Sequence, residues 1–451
     1  MKLAKNFSFL TRHLTRRNRG ALARTRGLLT RERLPWAALR ARQAELLRES
    51  VEAARRHLPR YQSLPPAPAG EAIFAWLATH CAIVSKADLV GDRVGFYPNG
   101  GQRRPWWPAG KTSGTSGSPL EVFRSVNAVI WEEAFNLQFW AWAGYELGDA
   151  QAVLRGDQVV PGAQSQPPYW MWDRFGRQLF LSTRHLTADT AKDFAQAVRD
   201  AGAQFMRAYP SSSFELARLC EQQGLSMPLR AVVTGSEPLY PVQREQLERS
   251  FGCKVFDFYG MAERIAYAAQ CEHGHYHLNP EYSFVEIVDE AGQPTADFGY
   301  VVGTTFHNAV MPLLRYRISD RARWVHGACS CGRSYPRIEL SSGKVEDQLF
   351  DREGNAVSAS VITFAFKGLA NIRKSQVAQV AEGRWEVRIV PDAGFGERDS
   401  QALLRNIEHY VSDKLEVRVR LVDDIALQPS GKFKWVAQEC PQLRRGRPKT
   451  G

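Results

Sequence analysis

Apolar and polar positions change their rhythm several times along the chain. Helical spacing runs through "PWAALRARQAELLRESVEAARRHL" at roughly 36–58, and the Pro-rich "LPPAPAG" from Leu64 to Gly70 then breaks the chain. From about 120 to 340, short β-rich apolar runs alternate with amphipathic helices, the pattern of a parallel or mixed sheet with helices packed on it. Within that stretch "AVVTGSEPL" reads as a strand leading into a loop, "YPVQREQLERSFG" as a helix, and "KVFDFYGMAE" as a strand with its loop. This is one βαβ unit, whose loops leave the carboxyl ends of the strands, where open α/β sheets bind ligands. After Gly343 the texture changes: "WEVRIVPD" and "LEVRVRLVDDI" alternate strand-like around the helical "RDSQALLRNIEHYVSDKL". The expected fold is α/β, with a large N-terminal domain over 1–343, of which 1–60 is a basic helical extension and cap, and a small α+β domain over 344–451.

The net charge of +12 suggests nucleic acid until it is located. Residues 1–45 carry 12 Lys and Arg against Glu32 and Glu45, so the remaining chain is nearly balanced. The basic character belongs to the N-terminus, which reads either as a solvated segment or as helices resting on an anionic surface such as the inner face of a membrane. No nucleic-acid-binding signature accompanies it. No apolar run reaches the roughly 18–20 residues of a spanning helix, and no signal-peptide pattern opens the chain, so the expected compartment is the cytoplasm. Seven scattered cysteines do not make a disulfide framework.

Four short stretches carry candidate chemistry. "KTSGTSGSPLEVFRS" lacks the Gly-Lys-Ser/Thr order of a Walker loop, yet backbone N–H groups beside Gly114 and Gly117, with the hydroxyls of Thr112, Ser113, Thr115 and Ser116, suit phosphate oxygens. "YGMAE" offers Tyr259 and Gly260 to a base and the Glu263 carboxylate to a divalent cation such as Mg²⁺. "PLLRYRISDRARW" presents Asp320 after an apolar strand, where it can accept hydrogen bonds from ribose hydroxyls. "LQPSGKFKW" holds Lys432 in a short Pro/Ser/Gly loop, a cation that can meet developing negative charge.

In this order and at these separations the four stretches resemble the adenylate-forming superfamily of acyl-CoA synthetases, adenylation domains and luciferases. The likeness is to its phenylacetate–CoA ligase-like branch, including the CapK-like proteins linked to capsular polysaccharide gene clusters. The resemblance implies that Thr112–Pro119 binds the phosphates of ATP, that Gly235, Ser236 and Glu237 of "TGSEPL" line the adenine pocket, and that Tyr259 stacks near the base. It also implies that Glu263 binds Mg²⁺, Asp320 holds ribose and Lys432 serves catalytically in adenylate formation. "GKVEDQLF" matches the family hinge, with Lys344 in place of the usual arginine and Glu346, the pivot, in place of the usual aspartate. "YRISD" replaces the commoner Tyr-Arg-Thr-Gly-Asp. The implied activity is ATP-dependent conversion of a carboxylic acid to an acyl-adenylate and its transfer to a thiol, CoA first among them, while the small domain turns as a lid. Transfer to an amine, a hydroxyl or a carrier protein is the alternative, and a non-catalytic surface-binding protein is the reading from another class.

Cys271, Cys329 and Cys331 have spacing suited to structural zinc, with a fourth ligand among His273, His275 and His277. A similar Cys…His…Cys-x-Cys pattern in the resembling branch favours His277. The same likeness places Tyr209, Pro210 and Ser211 at the wall of the acid pocket. Trp140, Trp142, Trp170 and Trp172 are candidates for an aromatic floor or for ordinary core.

Overall fold

The computed structural model describes residues 10–440 except 12, 15–17, 112–119, 156–158, 162–163, 342–348, 353–355, 358–361, 363–364, 367–368, 370, 412–414 and 427–432. Its first long elements are α1 (Arg19–Arg31) and α2 (Trp36–His57). Ala21, Thr25 and Leu28 repeat at helical spacing on α1 and are buried. Asn18 caps the helix by accepting from Ala21 N at 3.0 Å. The basic segment is therefore not a solvated appendage from residue 18 onward. Arg24 lies 4.9 Å from the Trp131 ring and donates to Asn127, and Arg31 pairs with Glu281 at 2.8 Å. Arg19, Arg26 and Arg33 are exposed. Among the described residues no helix is long and apolar enough to cross a membrane.

The central helix α3 spans Val126–Trp142, capped by Ser125, whose Oγ accepts from Ala128 N at 3.0 Å. The sheet strands follow in order: β1 (Gln151–Leu154), β2 (Trp170–Asp173), β3 (Gln178–Leu181), β4 (Phe205–Ala208), β5 (Ala231–Gly235), β6 (Lys254–Gly260) and β7 (Tyr267–Gln270). Next come β8 (Tyr276–Leu278), β9 (Ser283–Val288), β10 (Gly299–Thr305), β11 (Tyr316–Val325) and β12 (Arg337–Leu340). Helices α4 (Ala191–Asp200), α5 (Pro210–Gln222) and α6 (Pro241–Phe251) connect the parallel strands. All 12 strands form one sheet, in the order β9-β10-β11-β12-β8-β7-β6-β5-β4-β1-β3-β2. Strands β3, β1, β4, β5 and β6 run parallel, and the other pairings are antiparallel.

The parallel strands are buried on both faces, as crossover helices require. On β5, Val232 packs with Phe194, Leu216 and Leu247 of α4 to α6, while Val233 packs on the opposite face with Phe135 and Phe139 of α3. Val255 and Phe256 of β6 divide in the same way. The antiparallel half shares a separate core with α2, including Leu47 and Val51.

Beyond residue 349 a second unit forms: β13 (Ile372–Ala381), β14 (Arg384–Pro391), α7 (Glu397–Tyr410), β15 (Glu416–Leu421) and β16 (Val436–Gln438). Its sheet runs β15-β14-β13-β16 around fully buried Trp385, whose Nε1 donates to Phe350 O at 3.1 Å. It docks on the larger unit through Arg218 to Asp392 at 2.6 Å and Tyr240 against Trp435, rings 4.7 Å apart.

His307 stacks on Trp131 at 4.1 Å and is bonded through Nε2 to Glu281 O at 2.8 Å. Burial pushes its pKa down to about 4. The unfolded chain then takes up a proton near pH 6.5 and the native one only near pH 4, so stability falls as pH drops through that window, by at most about 3 kcal/mol. His307→Asn, which tolerates the left-handed backbone found there, should lose that slope; denaturant titrations from pH 4 to 7 with parallel profiles for the two proteins would refute it.

Candidate functional site

Strand β1 leads to β3 on one side, while β4 leads away to β5 on the other, so the carboxyl ends of β1 and β4 flank a topological switch point. A cavity of about 390 Å³ opens there, between the strand ends and α3. Its walls carry Glu133 and Asn136 from α3, Arg155 just past β1, Arg207 from β4, and Asp173 and Gln178 from the β2–β3 hairpin. The ring faces are occupied: Arg207 lies 4.4 Å from Trp140, and Arg155 lies 5.0 Å from Tyr209. His13 of the N-terminal segment also lines it, and its Nδ1 is shielded from solvent with no partner among the described residues.

The loop after β5 borders this cavity through Thr234 and Gly235. Ser236 sits at φ +72°, a left-handed conformation costly for serine, and its Oγ accepts from Arg155 Nη2 at 2.7 Å. Glu237 accepts from Ser211 N at 3.2 Å through one oxygen and from Phe433 N at 2.8 Å through the other. The first contact puts a carboxylate at the positive end of α5, and the second ties down the residue that follows Lys432.

Tyr259 and Asp320, 61 residues apart in sequence, meet where the β6 end faces β11: the Tyr259 hydroxyl donates to Asp320 Oδ2 at 2.9 Å. Burial, reinforced by the Asp320 and Glu263 charges, raises the Tyr259 phenol well above its usual range, so it remains a donor. Glu263 is half-buried and hydrogen-bonds Tyr316, whose phenol is likewise raised by burial and then by this carboxylate.

A second cluster lies where β7, β8 and the turn before β12 converge. One ligand atom each from Cys271, His277, Cys329 and Cys331 falls within 4.8 Å of every other. The Cys271 and Cys329 sulfurs are 3.9 Å apart, and Cys331 Sγ is 3.5 Å from His277 Nε2. A tetrahedral zinc with Zn–S near 2.3 Å and Zn–N near 2.1 Å has S–S edges of about 3.8 Å and S–N edges of about 3.6 Å, so the donor set fits. Nδ1 of His277 lies 3.3 Å from Tyr335 O, which orients Nε2 toward the sulfurs. Burial lowers the imidazole pKa to about 4, keeping it neutral as a ligand must be. Arg333 links this turn to Glu32 at 3.2 Å and Glu272 at 2.7 Å.

Residues 349–439 match the family described as the CapK C-terminal domain. The phenylacetate–coenzyme A ligase of Thermus thermophilus is 29% identical over 36% of this chain and 39% of its own length. Protein CapK of Staphylococcus aureus is 21% identical over 59% and 60%, and the phenylacetate–coenzyme A ligase of Aromatoleum evansii 23% over 90% and 95%. The chain is similar to the phenylacetate–CoA ligase and CapK-like branch of the adenylate-forming proteins. It thus spans 39% to 60% of the first two of these relatives and nearly all of the third. Among solved structures, 2-hydroxyisobutyryl-CoA ligase in its postadenylation state superposes with a TM-score of 0.70 at 18% identity, covering 92% of both chains. The same ligase in its thioesterification state gives 0.55 at 18% identity.

Of the residues expected to serve this branch's chemistry, the structure brings Gly235 and Tyr209 to the cavity and joins Tyr259 to Asp320. Gly260 ends β6, its Cα packed so closely that an added Cβ would lie 2.7 Å from the Phe258 ring. Pro210 and Ser211 are not walls of the cavity: they form the first turn of α5 behind it. Nor do the four tryptophans form a floor. Trp140 lines the cavity, Trp142 donates to Glu32 near the Cys/His cluster, Trp170 packs in the core under α4, and Trp172 is exposed. His273 and His275 stay outside the cluster, which uses His277. Thr112, Ser113, Gly114, Thr115, Ser116, Gly117, Lys344, Glu346 and Lys432 lie outside the described residues; the strands flanking the first stretch, Ala109–Lys111 and Glu121–Phe123, pair antiparallel. Sequence reasoning missed Glu133, Asn136, Arg155, Arg207, Asp173 and Gln178. A signal existed in α3, where polar Glu133 and Asn136 share with Trp140 a stripe at i, i+3, i+7 inside an apolar helix.

Gly235 has no room for a side chain: a Cβ would lie 2.5 Å from the Phe258 ring and 2.9 Å from Phe258 O. Gly235→Ala should lower stability by about 1–3 kcal/mol. An unchanged thermal midpoint would show that the loop relaxes instead.

Proposed function

We propose that the protein activates a carboxylic acid with ATP and passes the acyl group to CoA. The observation that carries this reading is that the loop after β5 borders the switch-point cavity through Thr234 and Gly235, while Glu237, two residues on, accepts from Phe433 N next to Lys432. The acid's carboxylate oxygen attacks the α-phosphorus of ATP, pyrophosphate departs, and a mixed anhydride forms; a thiolate then attacks the acyl carbon and AMP departs. Within this scheme Asp320, held by Tyr259, accepts from the ribose hydroxyls. The Thr112–Pro119 stretch receives the phosphates, the Gly235–Glu237 turn borders adenine, and Lys432 stabilises charge on the transferring phosphoryl group. Glu263 suits Mg²⁺, which takes one or two carboxylates with substrate phosphates and would neutralise charge on the departing pyrophosphate. Lys344 and Glu346 form the hinge about which residues beyond 349 turn between the two half-reactions. A second reading, transfer to an amine, hydroxyl or carrier protein in place of CoA, rests on the match of residues 349–439 to the CapK C-terminal domain. The Cys271, His277, Cys329 and Cys331 set holds a structural zinc in this reading, joining β7, β8 and the turn before β12.

Lys432→Ala should reduce acid-dependent ATP–pyrophosphate exchange by about 10²-fold or more while leaving the thermal midpoint unchanged. Exchange at the wild-type rate would remove Lys432 from the chemistry, and consumption of the preformed adenylate by CoA against other acceptors separates the two transfer readings. Elemental analysis of the purified protein should find one zinc per chain, lost together with several degrees of thermal midpoint in Cys331→Ser; a metal-free wild type with the same midpoint would dismiss the zinc.

A further inference from the structure

We infer that the cavity selects a small acid bearing several hydroxyl groups over apolar aryl or alkyl acids. The inference rests on the adenylation reading for the reaction, but on the lining alone for the substrate class. Three guanidinium groups, of Arg155, Arg207 and Arg264, are matched by three carboxylates, of Glu132, Glu133 and Asp173, so the charged lining is balanced. Most of these groups are already fixed in place. Arg264 pairs with Glu132 at 3.1 Å, Asp173 accepts from Phe175 N and Gly176 N, and Arg155 donates to Ser236. Asn136, Gln178 and Thr234 add neutral donors and acceptors, and the shielded Nδ1 of His13 adds another polar atom.

A hydroxyl donates one hydrogen bond and accepts others, so a polyhydroxylated acid can satisfy carboxylates and guanidiniums on facing walls together. An aryl acid finds little to stack on. Of the four aromatic side chains in the lining, Trp140 and Tyr209 are almost wholly buried with a guanidinium over each ring, Phe180 is almost wholly buried, and Phe258 packs against Phe139 and Tyr267. An apolar acid would also strip water from the polar walls without replacing its hydrogen bonds, the situation in which a site built for hydroxyls rejects analogues lacking them by up to about 10⁴-fold. An amino acid would bring a full cation into a lining whose carboxylates are already matched. At about 390 Å³ the cavity lies near the small end of ligand pockets, which suits a single compact acid.

The test uses the full-length protein with D-glucuronate, D-gluconate and quinate set against phenylacetate, benzoate, hexanoate and L-phenylalanine. Ligand-observed NMR reads acid binding, and ATP–pyrophosphate exchange reads adenylation. The expected result is binding of at least one hydroxylated acid and an exchange kcat/KM at least about 100-fold above that of any apolar acid. Glu133→Gln should cut that kcat/KM about tenfold or more and narrow its ratio to the phenylacetate value; an unchanged ratio would remove Glu133 from hydroxyl selection. Binding of the hydroxylated acids without exchange supports the pocket inference and overturns adenylation. Equal or better binding or exchange by an aryl, alkyl or amino acid overturns the pocket inference and leaves adenylation standing. No binding by any hydroxylated acid also overturns it.

Discussion

Burial of the parallel strands on both faces is the constraint from which the rest of the site follows. With Val232 and Val255 committed to one side and Val233 and Phe256 to the other, the strand bodies have no room for chemistry. Polar groups therefore gather where the strands end, and the switch between β1 and β4 separates two such ends enough to leave a cavity. Arg155 and Tyr209 stand at those ends because the chain must turn there, and Ser236 takes its left-handed conformation at the third.

Helix α3 closes the cavity and joins it to the rest of the fold. One of its faces gives Glu133, Asn136 and Trp140 to the cavity, whereas Gln138 and Trp142 both donate to Glu32 at the end of α1. Glu32 in turn holds Arg333, beside Cys331. The N-terminal helix, the Cys/His cluster and the wall of the cavity thus share one buried polar network, in which each carboxylate has a partner. A zinc that orders the Cys329–Cys331 turn would stiffen that network from its far end.

Glu237 couples the two units with a single side chain. Its carboxylate cannot satisfy both Ser211 N and Phe433 N unless the second unit is docked, so departure of residue 433 would leave one oxygen without its bond. Conservative changes at Lys344 and Glu346 preserve charge at the expected hinge but not the planar geometry of arginine.

Much of the fold was legible locally. The βαβ unit at 231–260, the helix at 36–57 and the strand–helix–strand texture beyond 384 follow from periodicity, which short stretches of chain carry by themselves. The cysteine spacing likewise named three of the four cluster residues, since a Cys-x-Cys turn is a local feature. Other facts depend on pairs distant in sequence. That His277 rather than His273 or His275 joins the sulfurs is decided by where β8 begins: His277 lies within the strand, paired with Ala269 of β7 and Arg337 of β12, whereas His273 and His275 lie in the turn before it. That Pro210 and Ser211 serve α5, and that Glu133 and Arg207 line a polar cavity where aromatic residues had suggested an apolar one, is decided by which strand ends lie side by side. Sequence determines the elements through nearest-neighbour periodicity, while the character of the pocket comes from side chains on seven separate elements and the N-terminal segment, which only the assembled sheet brings within reach of one another.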